Sequence, residues 1–298
     1  MGEVKYKILK LPLQTNISQL NMALKSFFAS LLFFTLSITH AQDITVMSYN
    51  IKYDNVNDTV NNWNDRKAPM VKLLQHYAPE FVGMQEVLFS QLTYLDEALK
   101  NYNYIGVGRD DGKKKGEFSP ILYNSKKYNL LQSNTFWLSP TPEKISVGWD
   151  AAMERICTYG LFENKMNKQR FWVFNTHFDH VGTEAREKSA ALIIKKINEI
   201  NTDNIPVMLT GDFNLKPESE PIQFLKKEMT DGKEITQQPF YGPTGTFSGF
   251  DHSRVLDHRI DYIFVKGVKV ENYLHIDDRM ENNKHISDHL PVMATVRK

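Results

Sequence analysis

The 298-residue chain is 41% hydrophobic and 24% charged, with a formal net charge of +1, so it can bury one substantial core and does not resemble a fibrous or low-complexity protein. That near-neutral balance argues against broad electrostatic attraction to polyanions. A single cysteine, Cys157, rules out an intramolecular disulfide, so stability must come from the core.

The first apolar stretch, residues 27–38, is rich in Phe and Leu and follows Lys25. It is shorter than the roughly 20 apolar residues needed to span a bilayer. Thr39-His40-Ala41 places small residues where signal peptidase prefers them, so residues 1–41 are expected to be a signal-peptide region. Met22-Ala23-Leu24-Lys25 would open such a signal normally, which makes Met22 an alternative start. The expected product is periplasmic or secreted, without an integral membrane anchor after cleavage, and monomeric. A membrane anchor or a buried helix is the competing reading, but polar sequence resumes at Gln42-Asp43. Loss of this region removes Lys5, Lys7, Lys10, Lys25 and Glu3, leaving a slightly acidic chain.

From residue 42 to 298 no repeat or Pro/Gly/Ser-rich linker interrupts the pattern, so one domain is expected. Short β-rich runs predict strands at 44–49, 81–84, 104–107, 121–123, 171–175, 207–209, 260–265 and 292–296. Met70, Leu73, Leu74 and Tyr77 share one helical face, with Pro69 expected near that helix's start. A second helix carries Leu92, Leu95 and Leu99, and a third carries Leu192, Ile193, Ile197 and Ile200, with Thr183 as its expected cap. The loops 110–118 and 242–257 are rich in charge, Gly and aromatics and are candidates for the rim of a cleft.

Polar residues with chemical potential recur directly after predicted strands, where a rigid sheet holds them and a loop exposes them. Asn50 ends the first strand and offers an amide to a phosphate oxygen or a metal's water, although an Asn there is usually a turn former. Glu86 follows Val82-Gly83-Met84-Gln85 and is the best candidate ligand for Mg²⁺, which takes oxygen donors and only one or two carboxylates; a helix-start glutamate is the alternative. Strand alternation puts Asn175 and His177 on one face, and His177 could bind a nonbridging phosphate oxygen. Asp212 and Asn214, two apart around a turn, could deprotonate and fix a water, with an Asx turn as the plainer reading. Asp261 is assigned as the partner that orients His289, which leaves Asp288 to act near the metal. No nucleophile elbow, Gly-rich phosphate loop, zinc helix or cysteine ligand cluster is present, so direct attack by water is favoured over a covalent mechanism.

In order, SYN at 48–50, QE at 85–86, NTH at 175–177, GDFN at 211–214, RIDYI at 259–263 and SDH at 287–289 resemble the endonuclease/exonuclease/phosphatase superfamily. The stretches at 106–113, 116–124, 148–158 and 175–182 resemble a bacterial branch of it. The resemblance implies an α/β fold, a four-layer sandwich of two mixed sheets packed face to face with helices outside, and one active site at an end of it. It also implies that Asn50 and Glu86 serve the metal site, that His177 binds phosphate, that Asp212 and Asn214 handle water, and that Asp261 supports His289 near the scissile phosphate. Arg155 is expected to clamp phosphate or an anionic sugar, as is Arg109 unless it is ion-paired. The expected cofactor is Mg²⁺, with Mn²⁺ as the alternative. Some nuclease members carry an acidic residue two positions after the first Asn, where this chain has Lys52, which puts a second metal ligand in doubt. Expected partners are phosphoester substrates: nucleic acid, a nucleotide or a sugar phosphate. Tyr53, Trp63, Phe118, Trp149, Phe247 and Phe250 are candidate walls for a base or sugar. The rival function is a binding protein for an anionic glycan or nucleotide that has lost turnover.

Overall fold

The computed structural model describes residues 1–5 and 43–298, and the chain divides into units Met1–Ala41 and Gln42–Lys298. Residues 6–41 of the expected signal-peptide region lie outside the described residues. Among those described, no helix is long and apolar enough to cross a membrane.

The second unit is built from two six-stranded mixed sheets. The first has the order β11-β12-β1-β2-β4-β3, formed by Lys269–His275, Val292–Arg297, Ile44–Asn50, Phe81–Gln85, Ile121–Asn124 and Tyr102–Ile105. The second has the order β5-β6-β7-β8-β10-β9, formed by Tyr128–Trp137, Ile156–Asn164, Arg170–His177, Val207–Asp212, Asp261–Lys266 and Thr230–Asp231. Each sheet has one parallel pair, β1 with β2 and β7 with β8, and antiparallel neighbours elsewhere. The two parallel pairs are what matter for function, because their carboxyl ends finish in Asn50 with Gln85 and in His177 with Asp212.

Strand alternation builds the layers. Val46, Phe81, Ile121, Phe171, Val173, Met208 and Ile263 face inward and make the core between the sheets. Their neighbours Met47, Tyr49, Val82 and Met84 face outward under helices α1 (Trp63–Tyr77) and α2 (Phe89–Ala98). Trp172, Phe174, Val207 and Leu209 do the same under α3 (Thr183–Ile200) and α4 (Glu220–Glu228). Helix, sheet, sheet, helix is the expected four-layer sandwich.

Several boundaries differ from the sequence reading. The strand expected at 104–107 ends at Ile105, because Gly106 turns the chain at φ 129°. Pro69 sits in the interior of α1, which begins earlier: Asn62 caps it by accepting from the Asp65 N–H. Thr183 makes no capping bond; the start of α3 is instead held from afar by Asp150, whose carboxylate accepts from Glu184 and Ala185. Strands β5, β6, β9 and β11 and helix α4 were not anticipated. β5 has a mostly exposed edge whose polar residues hide its period.

A polar plug closes the sandwich below the site. Asn175 donates from the second sheet to the carbonyls of Met84 (2.6 Å) and Pro120 (2.9 Å) of the first, and accepts from Gln85 at 2.7 Å. Thr210 joins through its hydroxyl at 3.0 Å. Gly83 makes this possible, since a Cβ there would run into Thr210 and Asn175.

Candidate functional site

The ends of β1, β2, β7 and β8, the start of β10 and the loop before β12 converge on a cavity of about 470 Å³. Its lining includes Glu86, His177, Asp212, Asn214, Asp288 and His289. Asn50 and Asp261 are fully buried behind them. The residues assigned catalytic, metal or phosphate-binding roles from sequence therefore meet in one place, including Arg155. Three of the site's residues, Lys52 (φ 56°), Glu86 (φ 60°) and Asn214 (φ 51°), have left-handed backbone, which for Lys and Glu is strain held by the surrounding bonds.

Three side chains form a line. Asp261 accepts from His289 Nδ1 at 2.9 Å, and His289 Nε2 lies 3.6 Å from Asp212 Oδ2. Thr246 donates to the same Asp261 oxygen at 2.6 Å and fixes the carboxylate. Burial opposes charge on His289, but Asp261 and Asp212 outweigh it and raise its pKa to about 10. Asp212 is also raised, to about 7, by burial first and then by Asp261, against the attraction of His289. It accepts from Asn50 Nδ2 (2.9 Å) and from the Asn214 N–H (2.9 Å).

His177 lies beside Asp212, with Nε2 at 3.4 Å from Oδ2. Burial, followed by the nearby Arg155 and His289 charges, holds its pKa well below normal, so the ring is neutral. Asn214 Nδ2 bonds both the Phe178 carbonyl (3.0 Å) and His177 Nε2 (3.1 Å), which assigns the lone pair of the neutral ring to Nε2.

Two groupings could hold a cation. Asp212, Asp261 and His289 offer ligand atoms within 4.8 Å of one another. Both nitrogens of His289 already face carboxylates, however, and its raised pKa keeps both as N–H, whereas a ligating imidazole must give one up. That trio suits a hydrogen-bonded line better than a metal. Glu86 and Asp288 are hard oxygen donors at the cavity edge, and between them lies the Lys52 ammonium, 3.6 Å from each. Two carboxylates that together draw in an ammonium also supply the oxygen donors and negative charge that a divalent ion needs beside it. Asn50 turns its amide nitrogen toward Glu86 Oε1 at 3.1 Å, and its carbonyl accepts the Lys52 N–H, so it positions Glu86 rather than facing the cavity with an oxygen. Burial opposes charge on Glu86, yet Lys52, His289 and the bonds from Asn50 and Tyr53 hold it ionised, with its pKa lowered.

The basic wall is mostly committed. Arg109 makes a bidentate pair with Glu117 at 2.9 Å twice, the structural alternative considered for it. Arg155 bonds Asp179 through Nε (3.3 Å) and His180 through Nη2 (3.0 Å), and still lines the cavity. Of the candidate aromatics, Tyr53 and Phe247 line it, and the Phe247 ring lies 4.9 Å from that of His289. Trp63 and Phe118 are core residues, which corrects their proposed role.

Sequence reasoning missed Arg66. From α1 its buried guanidinium donates to the carbonyls of Ile51 (2.7 Å), Lys52 (3.1 Å), Asn61 (2.7 Å) and Ile286 (3.1 Å), stapling the end of β1 to the segment that leads into Asp288-His289. The signal was there: Arg66 lies four residues before Met70, a charge on the apolar face of the helix.

A four-layer sandwich with a carboxylate, imidazole and amide cluster across the ends of its central strands defines a hydrolase fold of the phosphoester-cleaving type. The chain belongs to the Endonuclease/Exonuclease/phosphatase family, whose model matches residues 47–289. Members of this family are hydrolases of phosphoesters, both nucleases and a phosphatase among them, and use divalent metals. A mannosyl-6-phosphatase of Bacteroides thetaiotaomicron is 37% identical, with 86% of this chain and 100% of that one covered and a TM-score of 0.82. A family member of unstated activity from the same species is 36% identical, with 86% and 95% covered and a TM-score of 0.83. The CCR4-Not complex 3'-5'-exoribonuclease subunit of Mycosarcoma maydis is 24% identical over 78% of this chain, which spans 43% of that protein.

Proposed function

We propose that this chain is a Mg²⁺-dependent phosphomonoesterase acting on a sugar phosphate, exported to the periplasm or the medium and working as a monomer. The observation that carries the reading is the Asp261–His289–Asp212 line, with Asn214, His177 and Glu86 around it. The choice of sugar phosphate is supported by the 37% identity to a mannosyl-6-phosphatase over that protein's full length. Export is supported by the sequence of residues 22–41.

Mg²⁺ bound at Glu86, with Asp288 near, would supply polarisation of a phosphoryl oxygen and charge stabilisation at the leaving oxygen. The remaining work belongs to side chains. Asp212, with a pKa of about 7, is poised to take a proton from an attacking water near neutral pH. Asn214 and Asn50 fix that carboxylate by the bonds described above. His289, kept protonated by Asp261, presents an N–H and a positive charge to the phosphoryl oxygens. Neutral His177 and Arg155 also line the cavity.

A phosphate-release screen tests this, using mannose 6-phosphate, other sugar phosphates, nucleotides, single-stranded DNA, RNA and lipid diesters, with Mg²⁺, Mn²⁺ or EDTA. Metal-dependent release from a sugar phosphate is the expected result. Cleavage of nucleic acid alone would overturn the substrate class, and ligand-induced stabilisation without product would favour a binding protein.

A further inference from the structure

Lys52 stands where a strained backbone aims a cation into the site. Its φ of 56° is unusual for a long unbranched side chain. Three bonds hold that conformation: its N–H donates to Asn50 Oδ1 (3.0 Å), and its carbonyl accepts from Arg66 Nη2 (3.1 Å) and Gln91 Nε2 (3.1 Å). Arg66 and Gln91 are buried, so the surroundings dictate the conformation. The result is an ammonium 3.6 Å from Glu86 Oε2 and 3.6 Å from Asp288 Oδ2, against the Tyr53 ring at 4.8 Å, with 29% of the side chain exposed toward the cavity.

We propose that Lys52 is a resident cation that takes the place of a second divalent ion beside Glu86 and Asp288 and weights the site toward dianionic phosphate. The two carboxylates supply two negative charges, of which the ammonium neutralises one. That leaves charge to hold one divalent ion and repels a second. At equal distance an ammonium attracts a dianion with twice the Coulomb energy of a monoanion, so the same group favours a monoester over a diester. Both ammonium–carboxylate distances exceed good hydrogen-bond length, which leaves Lys52 donors for a substrate oxygen. The substrate half rests on the phosphoesterase reading; the metal-counting half does not.

The test is calorimetric titration with Mn²⁺ alongside hydrolysis of p-nitrophenyl phosphate and bis(p-nitrophenyl) phosphate. The wild type is expected to bind one Mn²⁺ that Glu86→Gln abolishes, and Lys52→Glu, which adds a third carboxylate, is expected to bind two. Lys52→Met is expected to lose about tenfold more kcat/KM on the monoester than on the diester, with recovery in Lys52→Arg. If Lys52→Met does not fold, Lys52→Asn replaces it, because Asn tolerates the left-handed backbone. Two Glu86-dependent ions in the wild type, or equal losses on both esters, would overturn the proposal. If the wild type hydrolyses neither ester, the phosphoesterase reading fails, and the ion count alone decides the role of Lys52.

Discussion

Replacing Arg66 by Met keeps a flexible apolar stem in the helix but removes every donor that ties α1 to the site. The bonds to Ile51 and Ile286 are buried, so their carbonyls would lose a partner with no water to replace it. A buried polar group left unpaired costs about 1–3 kcal/mol, which gives about 2–6 kcal/mol for the two. The carbonyls of Asn61 and Lys52 are only partly enclosed and add less. Against a typical total of about 5–15 kcal/mol, this is a large fraction of the stability. Urea unfolding followed by tryptophan fluorescence measures it, and the Tm should fall by about 2–4 °C for each kcal/mol in a domain of this size. Arg66→Lys should recover less than half, because one ammonium cannot span four carbonyls in a fixed fork. A loss below about 1 kcal/mol for Arg66→Met would refute the reasoning, since these carbonyls would then have other partners.

Arg259 pairs with Asp231 through two bonds of 2.7 and 2.6 Å in a buried setting, so Arg259→Leu should cost about 3–5 kcal/mol in urea unfolding. The Arg259→Leu/Asp231→Leu double variant should be more stable than that single one; equal or greater loss would count against an uncompensated carboxylate as the cause. His275 is held neutral with a pKa of about 3, by burial first and then by Arg259 and Lys233, and its Nδ1 donates to Pro243 at 2.7 Å. Its unfolded pKa is about 6.5, so its contribution is complete above that pH and is lost as pH falls toward 3, by up to about 1.4 kcal/mol per unit. His275→Gln should flatten the fall in urea midpoint between pH 6.5 and 4, and an unchanged slope would contradict this. Burial raises the Cys157 thiol far above its usual range, so thiol reagents should leave the native protein unmodified and react fully in denaturant. Rapid labelling of the native chain would contradict that burial.

The site was legible in the sequence because its residues sit at the ends of short apolar strands, and those strands were visible as β-rich runs. Asp261 with His289 was the most informative pairing, and the structure places them 2.9 Å apart. Helix ends were less legible. Asp150 caps α3 from a loop more than thirty residues away, and no local pattern announces such a partner. Asn175 looked like one more polar residue near a His, yet its work is to bind the backbone of the opposite sheet. Lys52 was visible as a departure from a motif, but its position between Glu86 and Asp288 depends on a left-handed backbone that only the tertiary bonds impose.

The most direct test of the central claim is steady-state phosphate release from mannose 6-phosphate in Mg²⁺ by the wild type, Asp212→Asn and His289→Ala. Loss of a general base typically lowers turnover by about 10²–10⁴-fold and loss of one charge-stabilising donor by about 10²–10³-fold, and Asp212→Asn and His289→Ala are expected to fall in those respective ranges with the fold intact by circular dichroism. Wild-type turnover in either folded variant would contradict the Asp261–His289–Asp212 line as the catalytic centre.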